Sequence, residues 1–313
     1  MGVTMNKTSN SVKFKGIILT LTGGCFWGLS GSCGQYLFQY KGVTAQWLVP
    51  IRLVLAGIFS LIILYSRQKT NIFSIWKNKS HSIQIVIFAV FGMMLCQYSY
   101  FAAIQKSNAG TVTVLQYLGP AMILVYMCIK NKVPPKKNEI IAIMFALLGT
   151  FLLATHGNLN NLSISPSALF WGLLAALFLA VYTIQPAELL SYYDTTMVIG
   201  WGMLIGGLLL IVAFRPWNMD IIVDWQVVVT MIVIILFGTI LSFTFYLEGV
   251  KYVGPTKASL FACIEPVSAT IISILWLKVA FSWIDIIGFI FIISTIFILS
   301  INNSSSTSSS ESL

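Results

Sequence analysis

The sequence predicts an all-α integral membrane protein, built as ten transmembrane helices in two inverted five-helix repeats. Three observations predict it. First, 58% of the 313 residues are hydrophobic and only 9% are charged, with a mean hydropathy of +0.89. A water-facing domain carries about 25% charged residues, so this chain cannot cover a soluble surface. Second, the apolar residues come in runs of about twenty, the length that crosses a hydrocarbon core about 30 Å thick. Lipid offers no hydrogen-bond partners, so each run must satisfy its backbone internally as a helix. Third, the two halves of the chain resemble one another.

The spans follow in order. The first half holds Gly16–Phe38, Trp47–Tyr65, Ile83–Ala103, Ala109–Ile129 and Ile140–Ala154. The second holds Ala168–Leu190, Thr196–Phe214, Val227–Leu247, Ala258–Leu277 and Ile284–Ile301. Residues 1–15 are polar and basic and read as a cytoplasmic segment. Residues 16–154 and 166–301 are the two repeats, and the serine-rich 302–313 reads as a disordered cytoplasmic tail. The apolar run after residue 15 is too long for the core of a cleavable signal peptide. The cysteines Cys25, Cys33, Cys96, Cys128 and Cys263 all fall within spans, and read as small apolar core residues.

Basic residues set the orientation, because cytoplasmic loops collect Lys and Arg. With the amino terminus inside, the inner segments hold Lys7, Lys13 and Lys15, then Arg67, Lys69, Lys77 and Lys79. They also hold Lys130, Lys132, Lys136 and Lys137, then Lys251 and Lys257. Lys41, Arg52, Lys106, Arg215 and Lys278 fall elsewhere. The formal charge of +9 thus has a topological origin, and nucleic-acid binding, which needs a basic patch on a soluble face, is excluded. Both termini are expected in the cytoplasm of a cell whose plasma membrane the chain spans.

The repeat is anchored three times at one offset of 146 positions. Ser99-Tyr100-Phe101-Ala102-Ala103-Ile104 matches Phe245-Tyr246-Leu247-Glu248-Gly249-Val250. Leu118-Gly119-Pro120 matches Ile264-Glu265-Pro266, and Glu139-Ile140-Ile141-Ala142 matches Asp285-Ile286-Ile287-Gly288. Phe26-Trp27-Gly28 lies more loosely near Phe178-Leu179-Ala180. Five spans per half is an odd number, so the second half enters the membrane upside down. In transporters with inverted repeats, substrate sites lie at the repeat interface near the midplane.

At these residues the chain resembles the drug/metabolite transporter superfamily, specifically its EamA family. The resemblance runs from Gly16 to Ile301. It rests on Phe26-Trp27-Gly28, Pro50-Ile51-Arg52 and Ser107-Asn108-Ala109-Gly110 leading to Leu118-Gly119-Pro120. It rests also on Gly254-Pro255-Thr256-Lys257-Ala258-Ser259 leading to Glu265-Pro266-Val267. The resemblance implies ten helices in two inverted repeats, a central solute cavity and alternating access. The family moves amino acids, other metabolites and drugs, so membership names no substrate. This chain departs where family members often carry a Gly-Glu pair after the fourth and ninth helices. It has Lys130-Asn131-Lys132 and Leu277-Lys278 there, so no ion pair or proton step is assigned to that acid.

A charge within hydrocarbon is costly, and an embedded ionisable residue marks function by default. Glu265, beside Pro266, could bind a cationic group or carry a coupling proton, or serve as a structural partner for Lys257. Arg52, near the outer end of its span, could attract a carboxylate or could snorkel to headgroups. Lys257 could bind an anion or snorkel. Glu139 and Asp285 open helices and complement their positive ends. The remaining cavity candidates are Trp27, Ser30, Gln97, Tyr98, Gln116, Tyr117, Tyr182, Gln185 and Tyr246, a set of aromatic and hydrogen-bonding side chains suited to amphipathic solutes. Pro120, Pro186 and Pro266 are expected kinks. The stripes Gly24 to Ser32 and Gly202 to Gly206 allow close helix approach.

No enzyme, cofactor or metal site is expected. His81 and His156 lie in or near loops, and no Walker-type glycine loop is present. The reading is a secondary transporter of a small organic solute, an exporter of amino acids or related metabolites, driven by proton exchange or by the solute gradient. One alternative is a carrier of anionic metabolites such as nucleotide sugars. The other is a non-transporting membrane sensor or assembly subunit.

Overall fold

The computed structural model describes residues 3–68, 71–107, 109–155, 165–277 and 282–305. Among them the regular structure is helical throughout. The first half runs α1 (Val3–Tyr40), α2 (Ala45–Gln68), α3 (Lys79–Lys106), α4 in two pieces (Ala109–Gln116 and Leu118–Asn131) and α5 (Lys137–Thr155). The second half runs α6 (Pro166–Ile184), α7 (Thr195–Phe214) and α8 (Trp225–Val253). It continues with α9 in two pieces (Pro255–Phe261 and Glu265–Leu277) and α10 (Trp283–Ser305). These are the ten expected spans, longer at most ends because polar residues without Pro or Gly extend a helix already nucleated in lipid. α1 begins at Val3 and so runs through most of the segment read as a separate 1–15 unit, while α10 reaches Ser305. The rest of the tail, His156 and Lys278 lie outside the described residues.

α1 to α4 and α6 to α8 each contain a long, strongly apolar stretch. α5 opens on Lys137 and Glu139, α9 is broken by the 3-10 turn Ala262–Ile264, and the apolar part of α10 is the shorter Ile286–Thr295. The outer surface is apolar: Ile62, Val212, Ile232 and Phe297 are all at least half exposed. This is the inside-out pattern of a protein dissolved in lipid rather than water.

Helix starts are capped as their sequences dictate. The side chains of Asn78, Asp194, Asp224 and Ser165 accept from backbone N–H groups in the first turns of α3, α7, α8 and α6. Glu139 Oε2 accepts from the Lys136 N–H at 3.0 Å, the helix-start role expected of it. The side chain of its counterpart Asp285 lies outside the described residues. His81 lies in the first turn of α3.

Repeat-related helices cross antiparallel. Val54 and Leu61 of α2 meet Gly207 and Gly200 of α7, with Gly57 against Leu204 between them. Ala142, Phe145 and Gly149 of α5 meet Thr295, Phe291 and Gly288 of α10. Rising numbers on one helix meet falling numbers on its copy, so the halves are related by a two-fold axis passing between them. At Gly57 a Cβ would stand 2.6 Å from the Leu204 nitrogen and 2.8 Å from its Cα, so the closest crossing requires glycine. The expected small-residue stripes serve this packing. Gly24 and Gly28 face the backbone of Ala262 and Glu265 in α9, and Gly202 and Gly206 face Phe88 and Ala89 of α3.

Each copy also carries a π-helical turn at one register position. Phe88–Met94 in α3 and Leu236–Leu241 in α8 contain Gly92 and Gly238, which are 146 positions apart. The Leu95 N–H reaches the Val90 carbonyl, and the Ser242 N–H reaches that of Phe237, five residues back in both cases. Such turns are rare and concentrate at functional sites.

Candidate functional site

α1, α3, α4, α8 and α9 converge with α2 and α6 on one buried chamber. Trp27, Ser30, Arg52, Gln97, Gln116, Tyr117, Tyr246 and Glu265 line it, all of them expected from sequence. Tyr100, Phe101, Phe243, Ser259, Cys96, Leu179, Gly238 and Ala262 complete the wall. The space open to the centre of a water molecule is about 40 Å³, room for about three waters on the usual allowance per water.

Broken helices place the polar groups. α4 breaks at Tyr117 (φ −73°, ψ 0°), three residues before Pro120, and turns the Gln116 and Tyr117 side chains into the chamber. α9 changes to a 3-10 turn immediately before Glu265 and Pro266. α6 likewise ends in the 3-10 turn Gln185–Ala187 that contains Pro186. All three expected kink prolines therefore adjoin a helix interruption, where a missing N–H is least costly.

Glu265 is buried, and both its oxygens accept from tyrosines, Oε1 from the Tyr100 hydroxyl at 3.0 Å and Oε2 from that of Tyr117 at 3.4 Å. The sequence reading offered Lys257 as its structural partner. Instead α9 turns Glu265 toward α3 and α4, and Lys257 is not among the chamber-lining residues. Arg52 does not snorkel. It lies seven residues from the start of α2, about 10 Å along the axis, and is 1% exposed. Its Nη2 donates to Gln97 Oε1, and its guanidinium stands 4.4 Å from the centre of the Phe101 ring. Its Nε and Nη1 have no hydrogen-bond partner among the described residues. The same is true of the Trp27 Nε1 and the Ser30 Oγ. Buried donors without partners are rare in folded proteins, and here they border one cavity.

Besides Lys257, three candidates lie elsewhere. Tyr98 stacks on Phe214 at 4.9 Å and meets Trp171 edge-on, because it points from the opposite face of α3. Gln185 donates to the Gln84 carbonyl at 3.0 Å at the end of α6. Tyr182 stands behind the wall, its ring 6.4 Å from Trp27 and 5.8 Å from Tyr246, and supports them from outside.

The sequence reading missed Tyr100 and Phe243, yet the repeat carried the signal. Tyr100 is the 146-position partner of Tyr246, and Phe243 is that of Gln97. By the same relation Gln116 corresponds to Ala262, while Trp27 corresponds to Leu179 at the looser offset of 152 positions. The chamber therefore straddles the two-fold axis with unlike walls. The first half supplies Arg52, Gln97 and Gln116, while the second sets Phe243 and Ala262 at the places of the two glutamines and, in place of Gly119, the carboxyl group of Glu265.

Comparison with known proteins adds a name to this geometry. Residues 14–155 and 166–301 each match the EamA-like transporter family. A relative from Salmonella typhimurium, "Uncharacterized inner membrane transporter YicL", is 36% identical over 289 residues, covering 92% of this chain and 96% of that one. The "Uncharacterized transporter YetK" of Bacillus subtilis is 24% identical, covering 79% and 76%. A solved crystal structure superposes with a TM-score of 0.72 at 13% identity, over 94% of this chain and 97% of that one. At that identity it bears on the fold alone.

Proposed function

Because the chain belongs to the EamA-like transporter family, we propose that its chamber binds a small amphoteric organic solute, an amino acid or a related metabolite, and carries it across a plasma membrane. Transporter type follows from the family; substrate, direction and mechanism are this proposal. One observation carries it: among the described lining residues, Arg52 keeps unspent donors inside a buried chamber whose other charge-bearing group is Glu265. A carboxylate on the solute satisfies Arg52 by charge-assisted hydrogen bonds. An ammonium or other donor group meets Glu265 in the cradle of Tyr100 and Tyr117. The apolar body then rests on Trp27, Phe243 and Tyr246. Lys257 stands outside the lining, which leaves Arg52 as the one basic residue among the described lining residues, too few for a nucleotide sugar with two phosphates.

Transport proceeds by alternating access. The antiparallel pairs α2–α7 and α5–α10 let one half rock against its copy, so the chamber opens to either face in turn. The export direction, inward-facing termini and coupling to protons through Glu265 belong to the same proposal. Uptake and efflux in proteoliposomes should show saturable movement of amino acids, with a panel of amines and nucleosides as comparison and with or without a pH gradient. Glu265→Gln and Gln116→Ala should each alter the kinetics. Unchanged kinetics in both would remove the site, and indifference to the pH gradient would remove the proton.

A further inference from the structure

Each end of the molecule carries a polar tie, and the repeat relates the two ties to one another. At the end where α1 finishes, Lys41 Nζ donates to Asp224 Oδ2 at 2.6 Å and to Gln226 Oε1. The Tyr36 hydroxyl reaches Gln226 Oε1 at 3.5 Å. At the opposite end, His81 Nδ1 and the Tyr193 hydroxyl are 2.7 Å apart, and Gln84 Nε2 donates to Glu188 Oε2 at 2.8 Å. His81 Nε2 stands 3.8 Å from Glu188 Oε1.

The correspondence is positional. Asn78 and Asp224 are the helix caps of α3 and α8 and lie 146 positions apart. The offset of 152 that brings Trp27 onto Leu179 brings Lys41 onto Tyr193 and Tyr36 onto Glu188. One tie fastens the end of α1 to the start of α8; the other fastens the end of α6 to the start of α3. These four helices also supply Trp27, Tyr246, Leu179 and Tyr100 to the chamber wall, so neither mouth can widen along these pairs while its tie holds.

We propose that Lys41–Asp224 and His81–Glu188–Tyr193 are the two gates of the chamber, both shut in this structure, and that the Lys41 gate is the stronger. It joins two full charges whose side chains are 17% and 37% exposed. At the other gate the carboxylate of Glu188 is 56% exposed and is held by an amide, with the tyrosine hydroxyl on His81 completing the tie. Solvent and salt weaken an exposed tie more than a sheltered one. The resting protein therefore opens first at the end that carries His81. This inference rests on the alternating-access reading above.

Cys96, in the chamber wall and 2% exposed, is a built-in reporter. The test uses a chain in which the other four cysteines are replaced by Ala, reconstituted in vesicles of defined orientation. A permanently charged methanethiosulfonate reagent, which cannot cross the bilayer, is added from one face at a time. Asp224→Asn keeps the helix cap and removes the charge. It should raise Cys96 labelling from the Lys41 face several-fold and lower it from the other. Glu188→Gln should do the reverse. Lys41→Met leaves the α8 cap in place and should give the same rise as Asp224→Asn, and combined with Asp224→Asn it should give no more than either change alone, which separates loss of the tie from misfolding. Labelling that rises equally from both faces, or does not change, would overturn the gates. Solute transport with labelling indifferent to both ties sinks the gates alone. Labelling that switches face with no solute movement keeps the gates and sinks the transport reading.

Discussion

Arg52 should make the protein less stable than it need be, and replacing it should expose that cost. In Arg52→Met with Gln97→Met the chamber loses two buried nitrogens, Nε and Nη1, that lack partners. A buried unsatisfied polar group costs about 1–3 kcal/mol. Against that gain stand the cation–π contact with Phe101 at 4.4 Å, about 1–2 kcal/mol when desolvated, and one internal hydrogen bond of about 1 kcal/mol. Two such nitrogens set a gain of about 2–6 kcal/mol against a loss of about 2–3, so the variant should be at least about as stable as the parent and up to about 4 kcal/mol more stable, in line with apolar replacement of other buried charges. Binding should move the opposite way. Loss of a charge-assisted hydrogen bond is about 1.5–3 kcal/mol, a weakening of roughly 10- to 150-fold. The assay pairs thermal unfolding in detergent with binding of amino acids and of the amines that lack their carboxylate. The parent should prefer the acids, and the variant should bind both alike. A variant that unfolds several degrees earlier yet still prefers the acids would refute the reasoning and make Arg52 a structural residue.

Three further outcomes are expected. Gly57→Ala places a methyl 2.6–2.9 Å from the backbone of Leu204 and Gly200, and should cost about 1–3 kcal/mol in thermal stability; an unchanged midpoint would mean that α2 and α7 are not held at this spacing. Tyr100→Phe should destabilise more than Tyr117→Phe, by up to about 2 kcal/mol, because Tyr100 bonds Glu265 at 3.0 Å and Tyr117 at 3.4 Å; calorimetry showing the reverse order would reassign the main partner. The Lys41–Asp224 tie should be indifferent to pH from about 5 to 9. Hydrogen bonding to Asp224 raises the Lys41 pKa, and hydrogen bonding to Lys41 lowers that of Asp224. The contribution is therefore present between the ordinary values of about 3.9 and 10.4. It is lost only as pH falls through the lowered aspartate value or rises through the raised lysine value. The midpoint difference between the parent and Lys41→Met should stay flat across that window, and a slope near neutrality would contradict the pairing.

Hydropathy made the ten helices legible, and the 146-position offset made the repeat legible, because both are properties of order along the chain. The chamber was legible where a polar residue stood deep within an apolar run, as with Glu265, Gln97 and Gln116. Direction around the helix was not. Run length gives depth but no azimuth, so Tyr98 and Tyr100, two residues apart on α3, could not be told apart. One faces Trp171 and the other faces Glu265. Arg52 was obscured for the same reason. Its distance from the end of α2 suits a snorkelling side chain, and only the neighbours that α3 brings alongside hold it inward. The end ties depend on loops from different halves meeting, which no local pattern encodes.

The paired π-helical turns carry a record of descent. A π-helical turn accommodates one residue more than the regular helix around it. α3 and α8 hold theirs at the same register, around Gly92 and Gly238. Two independent insertions would have had to fall on matching turns of separate helices and leave the offset from Gly92 to Glu139 unchanged in the other copy. A single insertion in an ancestral five-helix gene, made before that gene doubled, accounts for both.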